Sequence, residues 1–252
     1  MIKKNKKILI IIPARLESRR LPNKPILDII GVPMIARVAL RAKSLKLGRV
    51  IVASGNREIC DVLKTFGIES ILTRKTHKSG TDRVSEVFNN IHDDFDIIIN
   101  LQGDLPIFKD ELVIKTINIL EDKKVDIATA ACELKTEEIN KKNIVKVSLN
   151  ISNTNKREGY CLDFLRDVKY KENFFHHIGI YGYRPRSLKR FVLLTQSKNE
   201  KKRKLEQMRA LDNNMLIKAA IVSDNPPGVD SLEDLEYAFK WFTARFSILG
   251  VC

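Results

Sequence analysis

The first half of the chain alternates uninterrupted apolar runs with segments whose apolar residues recur at helical spacing, and this alternation restricts the fold most. The predicted strands are residues 8–12, 49–54, 68–73, 95–101 and 125–132. The predicted helices begin near Pro33, Arg57, Ser79 and Asp110. Strands that are apolar on both faces are typical of parallel sheets covered by helices. The sequence therefore predicts an α/β fold with a central, mostly parallel sheet.

The pattern loosens between Lys141 and Lys171, where the short runs "IVKVSLN" and "GYCLDF" predict an antiparallel insertion. The segment "HHIGIYGYR" predicts an edge strand or one that faces a second copy of the chain. Helices near 186–195 and 200–212, a strand "LIKAAIVS" and a last helix capped by Ser231 and Asp234 follow. We expect a core of residues 1–130 and 205–252 and a smaller insertion of residues 131–204.

Composition excludes several classes of protein. With 252 residues, 44% of them hydrophobic, the chain can bury a substantial core. The apolar run at 8–12 is too short for a signal peptide or a membrane span, which predicts a cytoplasmic protein without membrane insertion. Four scattered cysteines form no CxxC pair, so neither a disulfide framework nor a structural zinc site is indicated.

The formal net charge of +14 raises the question of nucleic-acid binding. The lysine-rich runs lie outside the apolar-periodic segments, and the five tyrosines and one tryptophan form no stripe on which bases could stack. Solvated surface is the better interpretation of the charge, and no nucleic-acid partner is expected.

The loop "PARLESRRLPNKP" carries four cations, Arg15, Arg19, Arg20 and Lys24, directly after the first strand. Open parallel sheets bind ligands at the carboxyl ends of their strands, and its prolines restrict the loop before binding. The chain contains neither a GxxxxGK[ST] loop nor a GxGxxG fingerprint, so side-chain cations must replace a backbone phosphate cradle. The loop predicts a polyphosphate site; a merely solvated basic loop is the alternative.

Two acidic turns also follow predicted strands. Gly103 in "NLQGDLP" lets the chain turn so that Asp104 points into the crevice, and "NPPGVDSLEDL" places Asp230 just before the last helix. Magnesium is typically held by one or two carboxylates together with phosphate oxygens, so these aspartates suit Mg-nucleotide chemistry. For Asp230 alone, helix capping or turn formation is the stronger interpretation.

The segment "TRKTHKSGTDR" brings hydroxyls, Gly80 and backbone N–H groups to a helix start, where an anion or a base edge could bind. Capping of the helix by Ser79 explains the same pattern equally well.

Six ordered segments together resemble the 3-deoxy-manno-octulosonate (Kdo) cytidylyltransferases of Gram-negative bacteria. They are "PARLESRRLPNKP", "TRKTHKSGTDR", "NLQGDLP", "HHIGIYGYR", "KLEQMRAL" and "PPGVDSLEDLE". The resemblance implies a Rossmann-like nucleotide-diphospho-sugar transferase fold and a homodimer. It also implies the Mg²⁺-dependent reaction of CTP with Kdo to give CMP-Kdo and diphosphate, which supplies lipopolysaccharide biosynthesis.

The resemblance also implies roles for individual residues. CTP binding is implied for Arg15, Ser18, Arg20, Lys24, Ser79, Gly80, Arg83 and Gln102. Magnesium binding is implied for Asp104 and Asp230, which with Arg15 and Lys24 form the catalytic set. Sugar binding is implied for Gln102, His177, Tyr181, Glu206 and Gln207, and Tyr183 also matches a position associated with the Kdo pocket. The core would then bind the nucleotide, and the insertion would contribute the sugar site and the dimer contact.

The sequence departs from the family pattern in two places. Leu105 stands where the family usually has glutamate, and the segment 160–175 is shorter than usual. These departures motivate one alternative, a relative that binds CTP without turnover. Two others are a cytidylyltransferase for another acidic sugar such as sialic acid and, because of the net charge, a nucleic-acid-binding protein. The "KLEQMRAL" and "PPGVD" segments favour Kdo.

Overall fold

The computed structural model describes residues 6–17, 20–152 and 157–248, the last three by their backbone only. The strands are β1 Ile8–Ala14, β2 Asp28–Ile29, β3 Val32–Pro33, β4 Arg49–Ser54, β5 Ser70–Leu72, β6 Ile97–Asn100, β7 Ile127–Glu133, β8 Lys146–Ile151, β9 Glu158–Leu165, β10 Phe174–Tyr183 and β11 Ile217–Ile221. The helices are α1 Met34–Ser44, α2 Arg57–Thr65, α3 Gly80–Asn90, α4 Asp110–Ile119, α5 Pro185–Leu193, α6 Lys198–Arg203, α7 Met208–Asp212 and α8 Leu232–Ile248.

The chain forms two compact units, each made of discontinuous segments. The first unit comprises residues 1–8, 94–99 and 109–225, and the second comprises residues 9–93, 100–108 and 226–252. These limits differ from the predicted core and insertion, and the functional division proposed from the sequence stays a prediction.

The second unit contains the parallel strands β5, β4 and β1, in that order. The run from Leu9 to Ile12 in β1 is completely buried, because helices shield both faces of a parallel strand. Helix α1 buries its apolar stripe, and α2 ends where Gly67 adopts a left-handed φ of 62°. Beyond that glycine the N–H of Ile68 donates to the carbonyl of Leu63 at 3.1 Å, a Schellman ending. The predicted strands and helices of this region are confirmed.

The first unit contains a mixed sheet in the order β6, β10, β7, β11, β9, β8. Strands β7 and β11 are parallel, whereas β8 and β9 pair antiparallel with each other, β9 with β11, and β10 with β7 and β8. The antiparallel character predicted for the middle of the chain is confirmed. The prediction of an edge position for "HHIGIYGYR" is wrong, because β10 lies between β6 and β7.

The helix predicted over 200–212 is also wrong in its extent, because the chain forms two short helices instead. Helix α6 ends at Arg203, and the next residue, Lys204, adopts a left-handed φ of 54°. The N–H of the buried Leu205 then donates to the carbonyl of Glu200 at 3.3 Å, so a Schellman ending forms without glycine. Helix α7 restarts after a turn that carries Glu206 and Gln207.

Candidate active site

The opening loop is fixed at both ends in the second unit. After β1 the N–H of Leu16 donates to Oδ1 of Asn56 at 3.3 Å, which holds the chain beside Arg15. At the other end a 3-10 turn covers Lys24–Ile26, and the N–H of Lys24 donates to the carbonyl of Leu21 at 3.2 Å. Leu21 is buried in an apolar cluster that also contains Met34 of α1 and Val229. The cations are therefore mounted on an anchored loop.

The two acidic turns are joined by their backbones. The N–H of Val229 donates to the carbonyl of Asp104 at 2.9 Å, which places Asp104 and Asp230 side by side. Gly103 is required here for steric reasons, since a Cβ on it would lie 2.9 Å from Cδ1 of Ile35 and 3.1 Å from the carbonyl of Pro13. This close approach confirms the turn predicted at Gly103.

Lys24 lies between the two carboxylates. Its Nζ donates to Oδ2 of Asp104 and to Oδ1 of Asp230, each at 2.8 Å, and Nη2 of Arg20 lies 2.9 Å from the other oxygen of Asp230. Burial opposes the ammonium charge, but the two carboxylates outweigh it and raise the pKa of Lys24. Burial likewise opposes the charge on Asp230, yet Lys24 and Arg20 hold its pKa below the usual value. The shifts of Lys24 and Asp230 therefore both favour the charged forms of the pair.

The cap of α8 leaves the Asp230 carboxylate available. The hydroxyl of Ser231 accepts from the N–H of Asp234 at 3.2 Å, and Oδ2 of Asp234 accepts from the N–H groups of Asp230 and Ser231 at 2.9 and 2.8 Å. The capping box predicted for this helix is confirmed. The alternative in which Asp230 itself caps the helix is wrong, because its carboxylate faces Lys24 and Arg20.

These groups line a cavity of about 820 Å³ within the second unit. Its lining includes Arg15, Glu17, Arg20, Lys24, Gln102, Asp104 and Asp230. This volume lies within the usual range for ligand pockets, roughly 300–1,000 Å³. The charged side chains named here are three cations and three anions, so a bare triphosphate would meet carboxylates as well as cations. A triphosphate that arrives with a divalent cation matches both kinds of charge.

The donor set of this cavity fits magnesium. Asp104 and Asp230 supply oxygen ligands from adjacent turns, and their side chains keep 32% and 43% of their surface accessible. No group of three or more acidic, histidine or cysteine side chains gathers at one point within the described ranges. Magnesium needs no such group, because it completes its shell with water and phosphate oxygens. Assignment of the ion to these residues stays a prediction.

A second cavity of about 190 Å³ lies in the same unit and shares Arg15 and Gln102 with the first. Ser79 and Gly80 line it at the start of α3, where the Ser79 hydroxyl accepts from the N–H of Asp82 at 3.1 Å. Capping by Ser79 is thus confirmed, and its place beside the cavity leaves the predicted ligand contact open. Gln102 is oriented by Asn100, to whose Oδ1 its amide donates at 3.4 Å.

Arg83 contributes to this cavity as a largely buried residue, 5% exposed. Its Nη1 donates to the Thr73 hydroxyl and, at 3.3 Å, to the carbonyl of Arg74. The guanidinium lies over Gly55, where a Cβ would approach within 2.8 Å of Nη1, and burial lowers the pKa of Arg83. These contacts indicate that Arg83 shapes the loop as well as lining the cavity. Ser18 and Arg19 lie outside the described residues.

Of the residues predicted for the sugar, Gln102 lies in the second unit, whereas the others, His177, Tyr181, Glu206 and Gln207, lie in the first. The ring centroids of His177 and Tyr181 are 5.7 Å apart, and those of Tyr181 and Tyr183 are 6.4 Å apart. Burial, reinforced by Tyr183 and then by Glu206, raises the pKa of Tyr181 well above its usual value. Gln207 is 6% exposed at the start of α7. The structure thus brings His177, Tyr181 and Glu206 together.

Three ionisable residues that line the cavities were missed from the sequence. Glu17 lies in the opening loop and lines the larger cavity. Hydrogen bonds, chiefly one from the backbone, lower the pKa of Glu17 although burial acts in the opposite direction. His77 and Lys78 lie in "TRKTHKSGTDR" and line the smaller cavity. Their place directly before the predicted helix cap was the available signal. Leu105, the departure from the family pattern, is buried beside Gly228, with Cδ2 3.6 Å from the position of a Cβ there.

The described helices include none with the length and apolar character required to span a bilayer.

The chain is similar in sequence and in fold to known proteins. A family model described as cytidylyltransferase matches residues 9–217. The 3-deoxy-manno-octulosonate cytidylyltransferase of Rhizobium etli is 42% identical over 241 residues, covering 94% of this chain and 96% of that protein. The enzyme of the same description from Brucella anthropi is 43% identical over 236 residues, covering 92% and 95%.

A solved structure of CMP:2-keto-3-deoxy-manno-octonic acid synthetase complexed with CTP is similar throughout. Its TM-score is 0.85 at 34% identity, covering 95% of this chain and 99% of that one. A UDP-glucose pyrophosphorylase shares the fold at 14% identity with a TM-score of 0.69. The predicted Rossmann-like nucleotidyltransferase fold is confirmed. By the matched family model and by relatives that are similar over nearly their whole length, the chain belongs to the 3-deoxy-manno-octulosonate cytidylyltransferase family.

Proposed function

We propose that this protein activates Kdo by transferring CMP to it from CTP, with release of diphosphate. The observation that carries the proposal is the cavity in which Arg15, Arg20 and Lys24 face Asp104 and Asp230. It offers cations for phosphate oxygens and carboxylates for a divalent ion. The relatives whose name includes this substrate match nearly the whole chain.

In the proposed reaction the anomeric hydroxyl of Kdo attacks the α-phosphorus in line with the bond to the β-phosphate. A new oxygen–phosphorus bond forms, diphosphate leaves with the electrons of the broken bond, and the hydroxyl proton is released. Arg15, Arg20 and Lys24 neutralise the phosphate oxygens and hold the chain of phosphates in one orientation. Phosphoryl chemistry of this kind depends on positioning and charge neutralisation more than on covalent participation of the protein.

Asp104 and Asp230 would hold Mg²⁺ in this proposal. When bound, the ion supplies neutralisation of phosphate charge and favours ionisation of an attacking hydroxyl. Lys24 then exchanges part of its contact with the two carboxylates for contact with phosphate. The sugar would be received by His177, Tyr181, Glu206 and Gln207, with Gln102 contacting nucleotide or sugar. A homodimer and a cytoplasmic location belong to the same proposal, and light scattering after size-exclusion chromatography tests the dimer.

Diphosphate release from CTP with Mg²⁺ and Kdo tests the function. Parallel reactions replace Kdo by sialic acid, and CTP by UTP. We expect release that requires both CTP and Kdo. Release with sialic acid and none with Kdo would overturn the choice of substrate. CTP binding without release with either sugar would support the alternative, motivated by Leu105, of a protein that has lost turnover.

A further inference from the structure

The sugar-binding cluster contains a fully buried hydroxyl that the proposed reaction leaves without a role. Thr129 is 0% exposed and lies on β7. Its Oγ1 is 3.0 Å from Nε2 of His177, 2.8 Å from the carbonyl of Ile180 and 3.3 Å from the carbonyl of Ile178. One hydroxyl thus contacts a ring nitrogen and two carbonyls of β10.

The two carbonyls belong to an irregularity in β10. Ile178 pairs with Ala130 of β7, and Tyr181 pairs with Thr129. Between these two pairs β10 advances by three residues and β7 by one, so β10 contains a bulge of two extra residues. Residues four apart on a regular strand lie about 13 Å apart. The ring centroids of His177 and Tyr181 are only 5.7 Å apart. The bulge therefore brings these two side chains together, and the Thr129 hydroxyl binds the carbonyls within it.

The same contacts determine where the proton of His177 resides. A threonine hydroxyl has one hydrogen to donate, and a carbonyl can only accept. The nearest acceptor is the carbonyl of Ile180, so the hydroxyl of Thr129 donates its hydrogen to that carbonyl within the bulge. Oγ1 can then only accept from His177, which makes Nε2 the protonated nitrogen and leaves the lone pair on Nδ1.

The surroundings of His177 keep the ring neutral. The residue is 7% exposed, and the ring of Phe164 meets it edge-on at 5.0 Å. Burial, and secondarily the charge of His176, lowers the pKa of His177 to about 3. A neutral ring with its lone pair on Nδ1 accepts a hydrogen bond and does not attract an anion.

We propose that Thr129 is a positioning residue that fixes His177 in the Nε2–H tautomer and holds the β10 bulge, so that His177 and Tyr181 are presented together to hydroxyl groups of the sugar. This inference rests on the proposed function, because it takes the sugar as the ligand of the cluster. It adds a residue and a proton assignment that the resemblance does not imply.

The test compares Thr129→Val with Thr129→Ser and with a matched control. Valine keeps the shape and removes the hydroxyl, whereas serine restores it. Thr116→Val is the control, since Thr116 is also 0% exposed and its hydroxyl donates to a carbonyl, that of Leu112 at 2.7 Å. Loss of a buried hydroxyl as such therefore affects Thr116→Val and Thr129→Val alike.

The first readout is the ¹⁵N spectrum of the His177 ring, which reports the tautomer without any substrate. We expect the Nε2–H form in the wild-type protein, in Thr129→Ser and in Thr116→Val, and a changed tautomer distribution in Thr129→Val. An unchanged ring in Thr129→Val, or the same change in Thr116→Val, would overturn the assignment.

The second readout is kinetic. We expect Thr129→Val to raise KM for Kdo about fivefold, the value of one net hydrogen bond, while KM for CTP stays unchanged. Equal effects on both substrates would refute the positioning role. If the wild-type protein does not use Kdo, the proposed function fails, while the ¹⁵N spectrum still decides whether Thr129 sets the tautomer.

Discussion

Replacement of Lys24 by methionine tests the charge arrangement of the nucleotide cavity most sharply. Lys24 is 13% exposed and donates one hydrogen bond of 2.8 Å to each of Asp104 and Asp230. Methionine keeps an unbranched chain of similar length and removes only the ammonium. The two carboxylates then lie near each other without the cation between them, while Arg20 still contacts Asp230.

The expected loss of stability is modest because water can reach the carboxylates. A hydrogen bond to a charged group contributes about 1.5–3 kcal/mol. The aspartate side chains are 32% and 43% exposed, so solvent replaces much of what the ammonium provided. We expect Lys24→Met to lower the free energy of unfolding by about 1–2 kcal/mol, which for a chain of this length lowers Tm by roughly 2–8 °C.

Divalent ions provide the decisive comparison, made by thermal unfolding with and without Mn²⁺ and in the absence of nucleotide. Mn²⁺ is expected to stabilise Lys24→Met more than the wild-type protein, since no ammonium then competes for the carboxylates. Lys43→Met, which removes an exposed lysine of α1, is the control and should respond like wild type. A Lys24→Met variant with wild-type Tm and wild-type response to Mn²⁺ would refute the reasoning.

Three further substitutions are predicted. Gly103→Ala should destabilise the protein by about 1–3 kcal/mol and lower turnover, because the added Cβ would lie 2.9 Å from Cδ1 of Ile35. Chemical denaturation measures the loss of stability, and an unchanged denaturation midpoint contradicts the prediction. Arg15→Ala should raise KM for CTP by about tenfold or more, since a guanidinium contact with phosphate is lost; an unaltered CTP dependence in steady-state kinetics removes the role given to Arg15. Glu200→Gln should make the free energy of unfolding fall less steeply as the pH is lowered into the acidic range. Burial opposes the charge of Glu200, but hydrogen bonds of 2.9 and 2.7 Å from Arg209 outweigh it and lower the pKa of Glu200 in the folded protein. The contribution of Glu200 to stability is therefore present above its unfolded pKa, near 4.5, and is lost as the pH falls through its lower folded pKa. Equal acid limbs for the variant and wild type would contradict this.

The strands and helices of the second unit were predictable because their signals are local. The unbroken run in β1, the apolar stripe of α1 and the glycine after α2 each determine one element through neighbouring residues. Its two acidic turns were also correctly placed beside the basic loop. Residues at the carboxyl ends of parallel strands meet at one edge of the sheet, whatever the lengths of chain between them.

The failures involve contacts between residues far apart in sequence. The segment of β10 was expected to lie at an edge or to face a second copy, whereas its neighbours β6 and β7 are determined by long-range pairing. The helix over 200–212 breaks at Lys204 although its residues favour helix, because the buried Leu205 stabilises the left-handed turn. Thr129 carries no signal of its own, because threonine is ordinary in a strand and the bulge opposite it is invisible in the sequence.

The measurement that tests the central claim most directly is diphosphate release by Asp104→Asn, assayed with CTP, Mg²⁺ and Kdo beside the wild-type protein. Asp61→Asn, on the exposed face of α2, serves as the charge-matched control. If the cavity holds a metal–nucleotide complex through its carboxylates, the Asp104 variant should lose about 100-fold or more in turnover, with its fold intact by circular dichroism, while the control keeps full activity. Turnover by Asp104→Asn within about twofold of wild type, under conditions where the control is also active, would contradict the account.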